Sequence, residues 1–514
     1  MDLLIAAALP AGNAFQFSGN GRIYLCSGIA VYILIMLATG FLAGRKISSP
    51  DDYLVAGRRL PLWMATATLL ATWFGAGSSM GISAMTYSEG LKGVLADPFG
   101  ASVCLLLAGL FIVGPLRKLK CLTVTDIIAR QYGKNAGIFA SLWMMPVYIG
   151  WLGSQMLGIG TIVQLLTGLD IWIGTLGGAA IVLFYTFAGG MWAVTLTDIF
   201  QVTLIIAGLL ILLPGTVSEA GGIERLYASL SSSDLSLAPP AGASADTVTY
   251  YIGSWLVMGL GCMVGQDLIQ RSLAAKNEKI AAQSSIISAF LYFGIAMIPI
   301  IVGFAARIVL PKYGITSETI ASNLENQVMP QMALIVLGKL HPLILILFFS
   351  ALLSAIMSSA DSSLLAGSSL FCNNVLKPFF PDLPDKRFLL ITRLSTVAII
   401  GLSLFFALSV QNIYLLMKNS WVTQLVVVFI PVITAIYLPK ATSKAAWTSM
   451  IVSLAVWLGY CAHSFIGEQG SFARIMSDFD RPVTCGAVYG FIAGLGAFFC
   501  CYLWERFNGK RMKK

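Results

Sequence analysis

Long apolar stretches recur along the chain, separated by short clusters of charged and small residues. A helix needs roughly 20 largely apolar residues to cross the hydrocarbon core of a bilayer. On that measure spans are expected near 23–43, 61–86, 96–116, 136–166, 170–188, 196–215 and 250–270. Further spans are expected near 282–309, 334–370, 388–408, 412–438, 446–466 and 483–504. The pattern predicts an all-α polytopic membrane protein, a single membrane domain over residues 1–514 with about 13 transmembrane helices. The segment 217–249, rich in Ser, Ala and Pro, reads as a flexible external connector.

Composition narrows the function. Hydrophobic residues make up 57% of the 514 and charged residues 11%, with a mean hydropathy of +0.84. A soluble chain carries about 25% charged residues, which excludes disorder, nucleic-acid recognition and an ordinary cytosolic enzyme. The net charge of +9 comes from Lys and Arg gathered in alternate loops, such as Arg58 and Arg59, Arg117, Lys118 and Lys120, and Arg271, Lys276 and Lys279. This places the N-terminus outside and the C-terminus inside the cell membrane. The first residues carry Asp2 and no basic segment, so a cleaved signal peptide is not expected. Nine cysteines without C-x-x-C spacing point to neither a disulfide framework nor a zinc site. His341 and His463 lie far apart and read as membrane-edge residues, and no phosphate-binding loop points to ATP. No soluble domain, nucleic-acid partner or obligate protein partner is evident.

Two spans carry unusual interruptions. The second contains Ala71-Thr72-Trp73-Phe74-Gly75-Ala76-Gly77-Ser78-Ser79-Met80-Gly81, and the seventh Gly259-Leu260-Gly261-Cys262-Met263-Val264-Gly265-Gln266-Asp267. They lie five spans apart, so each would open one of two five-helix repeats. Glycines in membrane helices commonly serve close packing, but paired interruptions at matching places point to a transporter's central site. Unwound carbonyls there can hold a cation, and freed N–H groups an anion.

The ninth span adds hydroxyls. Ser354, Ser358 and Ser362, spaced by four, share one helical face beside Ser359 and Ser363, with Asp361 among them. Hard cations take oxygen ligands, so this face opposite a broken helix predicts an alkali-ion cage. Asp198, at the start of the sixth span, reads either as a functional carboxylate or as an interfacial cap after Thr197.

At these motifs the sequence resembles the sodium:solute symporter family. The resemblance runs from Asp51-Asp52-Tyr53-Leu54-Val55-Ala56-Gly57-Arg58 to the last spans. It is carried by Tyr185–Val194 with Thr197-Asp198, by Gln270-Arg271-Ser272-Leu273-Ala274-Ala275-Lys276-Asn277, and by Ser358–Ser363. It implies a five-plus-five inverted-repeat (LeuT-type) core: a leading helix at 23–43, repeats at 61–215 and 250–438, and two trailing helices at 446–504. It also implies Na⁺-coupled import of a small organic solute by alternating access. The family's main sodium site falls on the carbonyls of Thr66, Leu69 and Ala355 and the hydroxyls of Ser358 and Ser359. A second sodium site, present in some members, falls on Asp198, Ser358, Asp361 and Ser362.

Within the family the chain looks most like the choline-transporting branch, which holds a quaternary ammonium among tryptophans. Trp73 and Trp151 match that cage, while Gly265 and Lys418 stand where the branch has tryptophans. A fixed ammonium at Lys418 would repel choline, so the expected substrate is an anion or a zwitterion, with Gln266 and Asp267 as further polar contacts. Snorkelling of Lys418 toward the interface is the plainer alternative, as lipid or packing contact is for the two tryptophans. A solute sensor on the same scaffold and a quaternary-amine symporter remain rival readings. An intramembrane enzyme would need a convergent nucleophile, base and oxyanion donors, which the sequence does not supply.

Overall fold

The computed structural model describes residues 19–44, 56–119, 121–315, 320, 325–466 and 479–511. Asp51–Val55 of the first motif, and Lys120, lie outside the described residues. The architecture is helical. Its main elements are α1 (Gly19–Gly44), α2 (Leu62–Trp73), α3 (Ile82–Glu89), α4 (Ala101–Phe111), α5 (Thr125–Tyr132), α6 (Lys134–Thr167) and α7 (Ile171–Glu219). There follow α8 (Ala245–Gly259), α9 (Gln266–Ala274), α10 (Glu278–Val309), α11 (Val328–Leu337), α12 (Pro342–Leu370) and α13 (Asp385–Val410). The chain continues through α14 (Ile413–Ser420), α15 (Ile430–Tyr437), α16 (Ser443–Ile466) and α17 (Asp480–Arg511).

Among the described residues, eleven helices are long and apolar enough to cross a membrane, with Leu62–Trp73, Ile171–Phe184 and Val328–Leu337 as shorter apolar helices. The chain is a multi-pass membrane protein. The count differs from the expected thirteen where helices break or run on. The expected span 61–86 stops at Trp73, and Gly77–Phe111 runs on as one apolar unit. The expected spans 170–188 and 196–215 lie in one helix of 49 residues. At 1.5 Å per residue that is roughly 74 Å, far beyond a hydrocarbon core of about 30 Å, so it cannot be one transverse span. The expected span 334–370 begins only at Pro342, because α11 ends at Leu337 and His341 accepts a bond from the Leu343 N–H at 3.3 Å to start α12.

The segment 217–249 is more ordered than a flexible connector. Helix α7 runs on to Glu219, a short helix covers Ile223–Ala228, and α8 begins at Ala245. Between them Asp234 fastens the loop: its carbonyl accepts from Leu91 N–H at 2.8 Å, and its carboxylate pairs with Arg307 at 2.6 Å. Hydrogen bonds from Arg307 and then Ser231 lower the Asp234 carboxyl to about 2.

Helix α12 forms the centre of the bundle. It packs against α6 and α7, and every residue from Phe348 to Leu370 is buried. The serine stripe therefore faces protein on all sides, where hydroxyls find partners that lipid would deny them.

Candidate functional site

Helix α2 ends where Phe74 leaves helical geometry (φ −94°, ψ 87°). Breaking a helix strips carbonyls and N–H groups of their partners, and buried ones need replacements. The Thr72 carbonyl accepts from the Ser359 hydroxyl at 2.7 Å, and the Trp73 carbonyl from Ser78 at 3.0 Å. The Ala76 N–H donates to Gln155 of α6 at 2.8 Å. Gly75 permits this convergence, since a β-carbon there would collide with both the Ser359 hydroxyl and the Gln155 amide oxygen. A buried carboxylate braces the far side, with Asp97 accepting from Ser78 at 2.8 Å and from Tyr292 at 2.6 Å.

The second interruption mirrors the first. Helix α8 ends at Gly259, a tight turn covers Gly261–Val264, and Gly265 is extended (φ −63°, ψ 133°) before α9 begins. The freed N–H groups of Gln266 and Asp267 donate to the Tyr148 hydroxyl at 2.5 and 3.3 Å. The Asp267 carboxylate accepts from the Trp73 indole at 2.8 Å and from Tyr148 at 3.1 Å. A β-carbon at Gly265 would lie 2.8 Å from that carboxylate. The absent side chain is what makes room for the charge.

The predicted residues separate into groups. Ser359 and Ala355 lie on buried α12, and Ser359 reaches the broken end of α2. Thr66 and Leu69 do not. Both sit inside regular α2, one to two turns before the break, where the helical ladder occupies their carbonyls. The Thr66 carbonyl also accepts from Ser288 at 3.3 Å. These two positions follow from the family resemblance rather than from the glycines.

Asp198 is fully buried. It accepts from Ser358 at 2.5 Å and from Thr68, so the cap reading does not describe it. Ser362 donates to the Ser358 carbonyl at 2.6 Å and lies 3.1 Å from the Thr72 hydroxyl and 3.2 Å from Asp361. Arg271, counted in the sequence as a loop cation, is instead 1% exposed. Its guanidinium donates to Thr72 at 2.8 Å and to Ser362. A signal for it was present, since Asp267 and Arg271 are four apart and share one face of α9.

Trp151 packs edge-on against Trp421 at 5.9 Å and near Tyr148 at 6.5 Å. Trp73 meets Tyr292 at 6.4 Å. Neither tryptophan is a lipid-facing residue, at 8% and 3% exposure for Trp73 and Trp151. Gln266 is committed to structure, accepting from the Val124 N–H at 2.8 Å and donating to Ser369 at 3.2 Å. Lys418 neither snorkels nor stands free. Its ammonium contacts both oxygens of Asp480 at 3.0 Å and the Tyr250 hydroxyl at 2.9 Å, over the Tyr250 ring at 4.3 Å. Asp480 escaped the sequence reading because it is brought in by a helix remote in the chain, whereas Tyr148 and Gln155 stand beside Trp151 on α6 and Trp421 just after Lys418, where nothing in the pattern set them apart from packing residues.

Two helices broken at mid-length around a serine-lined third are what an ion-coupled carrier requires. The profile of the sodium:solute symporter family matches residues 53–453. The chain belongs to this family. The symporter is 26% identical over 454 residues to a high-affinity choline transporter of Caenorhabditis elegans, covering 84% of this chain and 76% of that one. It is 25% identical to a sodium/pantothenate symporter of Haemophilus influenzae, covering 84% and 89%. The solved substrate-bound, outward-open structure of a Na⁺-coupled sialic acid symporter superposes with a TM-score of 0.75 over 92% of this chain and 97% of that one. Their identity is 20%, so this likeness speaks for the fold. The symporter is thus a Na⁺-coupled transporter, not an enzyme.

Proposed function

We propose that this symporter imports a small organic solute bearing a positively charged nitrogen, a zwitterion or a quaternary amine, together with Na⁺. The observation that carries the reading is the Asp267 carboxylate, held between Trp73 and Tyr148 at the mouth of the second break. Where the choline-transporting branch presents an aromatic face, this chain presents a carboxylate in the space Gly265 leaves. A cation can be attracted by that charge and by the faces of Trp73 and Trp151. Lys418, the reason for expecting an anion, has its charge met by Asp480. The buried centre also holds Asp97, Asp198 and Asp361 beside Arg271.

Na⁺ binds between α2 and α12, taking the Ser359 hydroxyl, the Ala355 carbonyl and carbonyls freed at the end of α2, of which Thr72 is already in contact with Ser359. Bound there, the ion links the broken helix to the central one, so loading can bias the bundle toward the state that admits solute. Inward movement of one Na⁺ supplies about 2.3 kcal/mol per 100 mV and about 1.4 kcal/mol per tenfold gradient. Imported through the cell membrane, a cationic solute adds its own share of the potential.

The test is uptake into proteoliposomes of quaternary amines, amino acids and simple carboxylates, with and without a Na⁺ gradient. Electrogenic, Na⁺-dependent uptake of an amine-bearing solute, lost in Ser359→Ala, is expected. Uptake restricted to simple carboxylates would overturn the solute assignment, and uptake indifferent to Na⁺ would overturn the coupling.

A further inference from the structure

Apart from the central site, a cavity of about 550 Å³ opens between α5, the start of α6 and the turns that follow α12. Its lining includes Arg130, Lys134, Lys377, Asp126, Asn373 and Asn374. The acidic member can offset only one of the three basic ones. Asp126 accepts from the N–H groups of Leu122 and Thr123 at 2.7 and 3.1 Å and from the Thr123 hydroxyl at 2.9 Å. It also accepts from the amides of Asn373 and Asn374 at 3.2 and 2.7 Å. Its oxygens are spent bracing the wall.

The three cations are exposed and tethered only to neutral groups. Arg130 donates to the Leu119 carbonyl at 2.8 Å, and Lys134 donates to the Pro378 carbonyl. Lys134 also sits 5.0 Å from the Phe379 ring, and Lys377 5.5 Å from that of Phe388. Among the described residues none of the three forms an ion pair with a carboxylate. The cavity therefore carries uncompensated positive charge.

A second observation says what covers it. Phe379 and Phe380, next to Pro378 in the lining, are 62% and 56% exposed. Two bare aromatic rings beside a cationic pocket suit the boundary between headgroups and acyl chains, where such residues bury their rings. A soluble phosphate would satisfy the cations and leave the rings in water. We infer that this cavity binds the phosphodiester headgroup of an anionic membrane lipid, with its acyl chains over Phe379 and Phe380. Basic pockets between membrane helices hold headgroups in this way. Because its walls include the turns that follow the serine helix and the start of α6, the lipid clamps segments attached to two helices that frame the central site.

Lipid retention by the purified full-length protein tests this, with native mass spectrometry after incubation in phosphatidylglycerol or phosphatidylcholine micelles. Three basic side chains near an anionic headgroup set an expected preference of at least roughly tenfold for phosphatidylglycerol. That preference should vanish in R130Q/K134Q/K377Q and weaken in K134Q alone, which alters one exposed side chain and keeps the comparison available if the triple variant does not fold. Equal retention of the two lipids by the unaltered protein, or an undiminished preference in both variants, overturns the proposal. Displacement of phosphatidylglycerol by millimolar inorganic phosphate would overturn the lipid assignment.

Discussion

Replacing Lys418 by Met asks whether its charge serves the fold or the solute. The ammonium lies 3.0 Å from Asp480 and 2.9 Å from the Tyr250 hydroxyl, and the side chains of the ion pair are 4% and 14% exposed. Removing one partner of a buried pair costs about 3–5 kcal/mol, because the other charge is left without compensation. Tyr250, which donates to Asp480 at 2.5 Å, keeps a donor available to the carboxylate when Lys418 is removed, and a little solvent reaches it, so the low end, about 3 kcal/mol, is expected. Asp480→Asn should relieve the stranded charge, and the double variant should recover about 2 kcal/mol of the single loss. The assay is denaturant unfolding in detergent, followed by tryptophan fluorescence, for all four members of the cycle. Solute KM, measured in proteoliposomes on the folded fraction, should change less than threefold. Strictly additive losses, or an unchanged stability with KM raised tenfold, would refute the assignment of Lys418 to Asp480.

Gly75→Ala should abolish uptake while leaving the protein in the membrane, since its methyl group would push Ser359 and Gln155 off the broken end of α2; surface labelling beside transport checks both halves. Trp73→Phe keeps an aromatic ring but deletes the indole bond to Asp267. A hydrogen bond to a charged group is worth about 1.5–3 kcal/mol, so the fold should lose stability of that order in denaturant unfolding, and solute affinity should fall as Asp267 loses the donor that positions it, with the Na⁺ half-saturation nearly unchanged. Arg271→Gln removes the cation that bridges Thr72 and Ser362, and the coupling ratio from reversal potentials should shift as Asp198 loses its neighbouring positive charge. For Asp234, held down at about 2 by Arg307, the ion pair's contribution is complete above the unfolded carboxyl value near 4. It is lost as pH falls through about 2. Proteolysis of the 220–244 loop should therefore be unchanged from pH 7 to 5, whereas Asp234→Asn should expose it at pH 7.

Much of the architecture was legible because bilayer thickness and buried polarity leave few solutions. The interruptions at Phe74 and Gly265 could be seen as glycines beside polar residues, and the buried serines as a fourfold spacing. What escaped was partnership. Nothing local in Lys418 reveals Asp480, which belongs to a helix 62 residues further on, and Arg271 gives itself away only through Asp267 four residues before it. Ligand positions on α2 rest on the family resemblance for a related reason: composition locates a helix break, whereas the exact carbonyls set free depend on which residue leaves helical geometry, here Phe74.

Helix α9 is a nine-residue segment buried throughout that carries Asp267 and Arg271 together. With both ionised, the carboxylate and the guanidinium travel with no net charge whenever the segment shifts along the membrane normal. Rocking of this piece by itself should generate almost no displacement current, so the voltage sensitivity of the cycle should be a property of the cargo rather than of the machine that moves it.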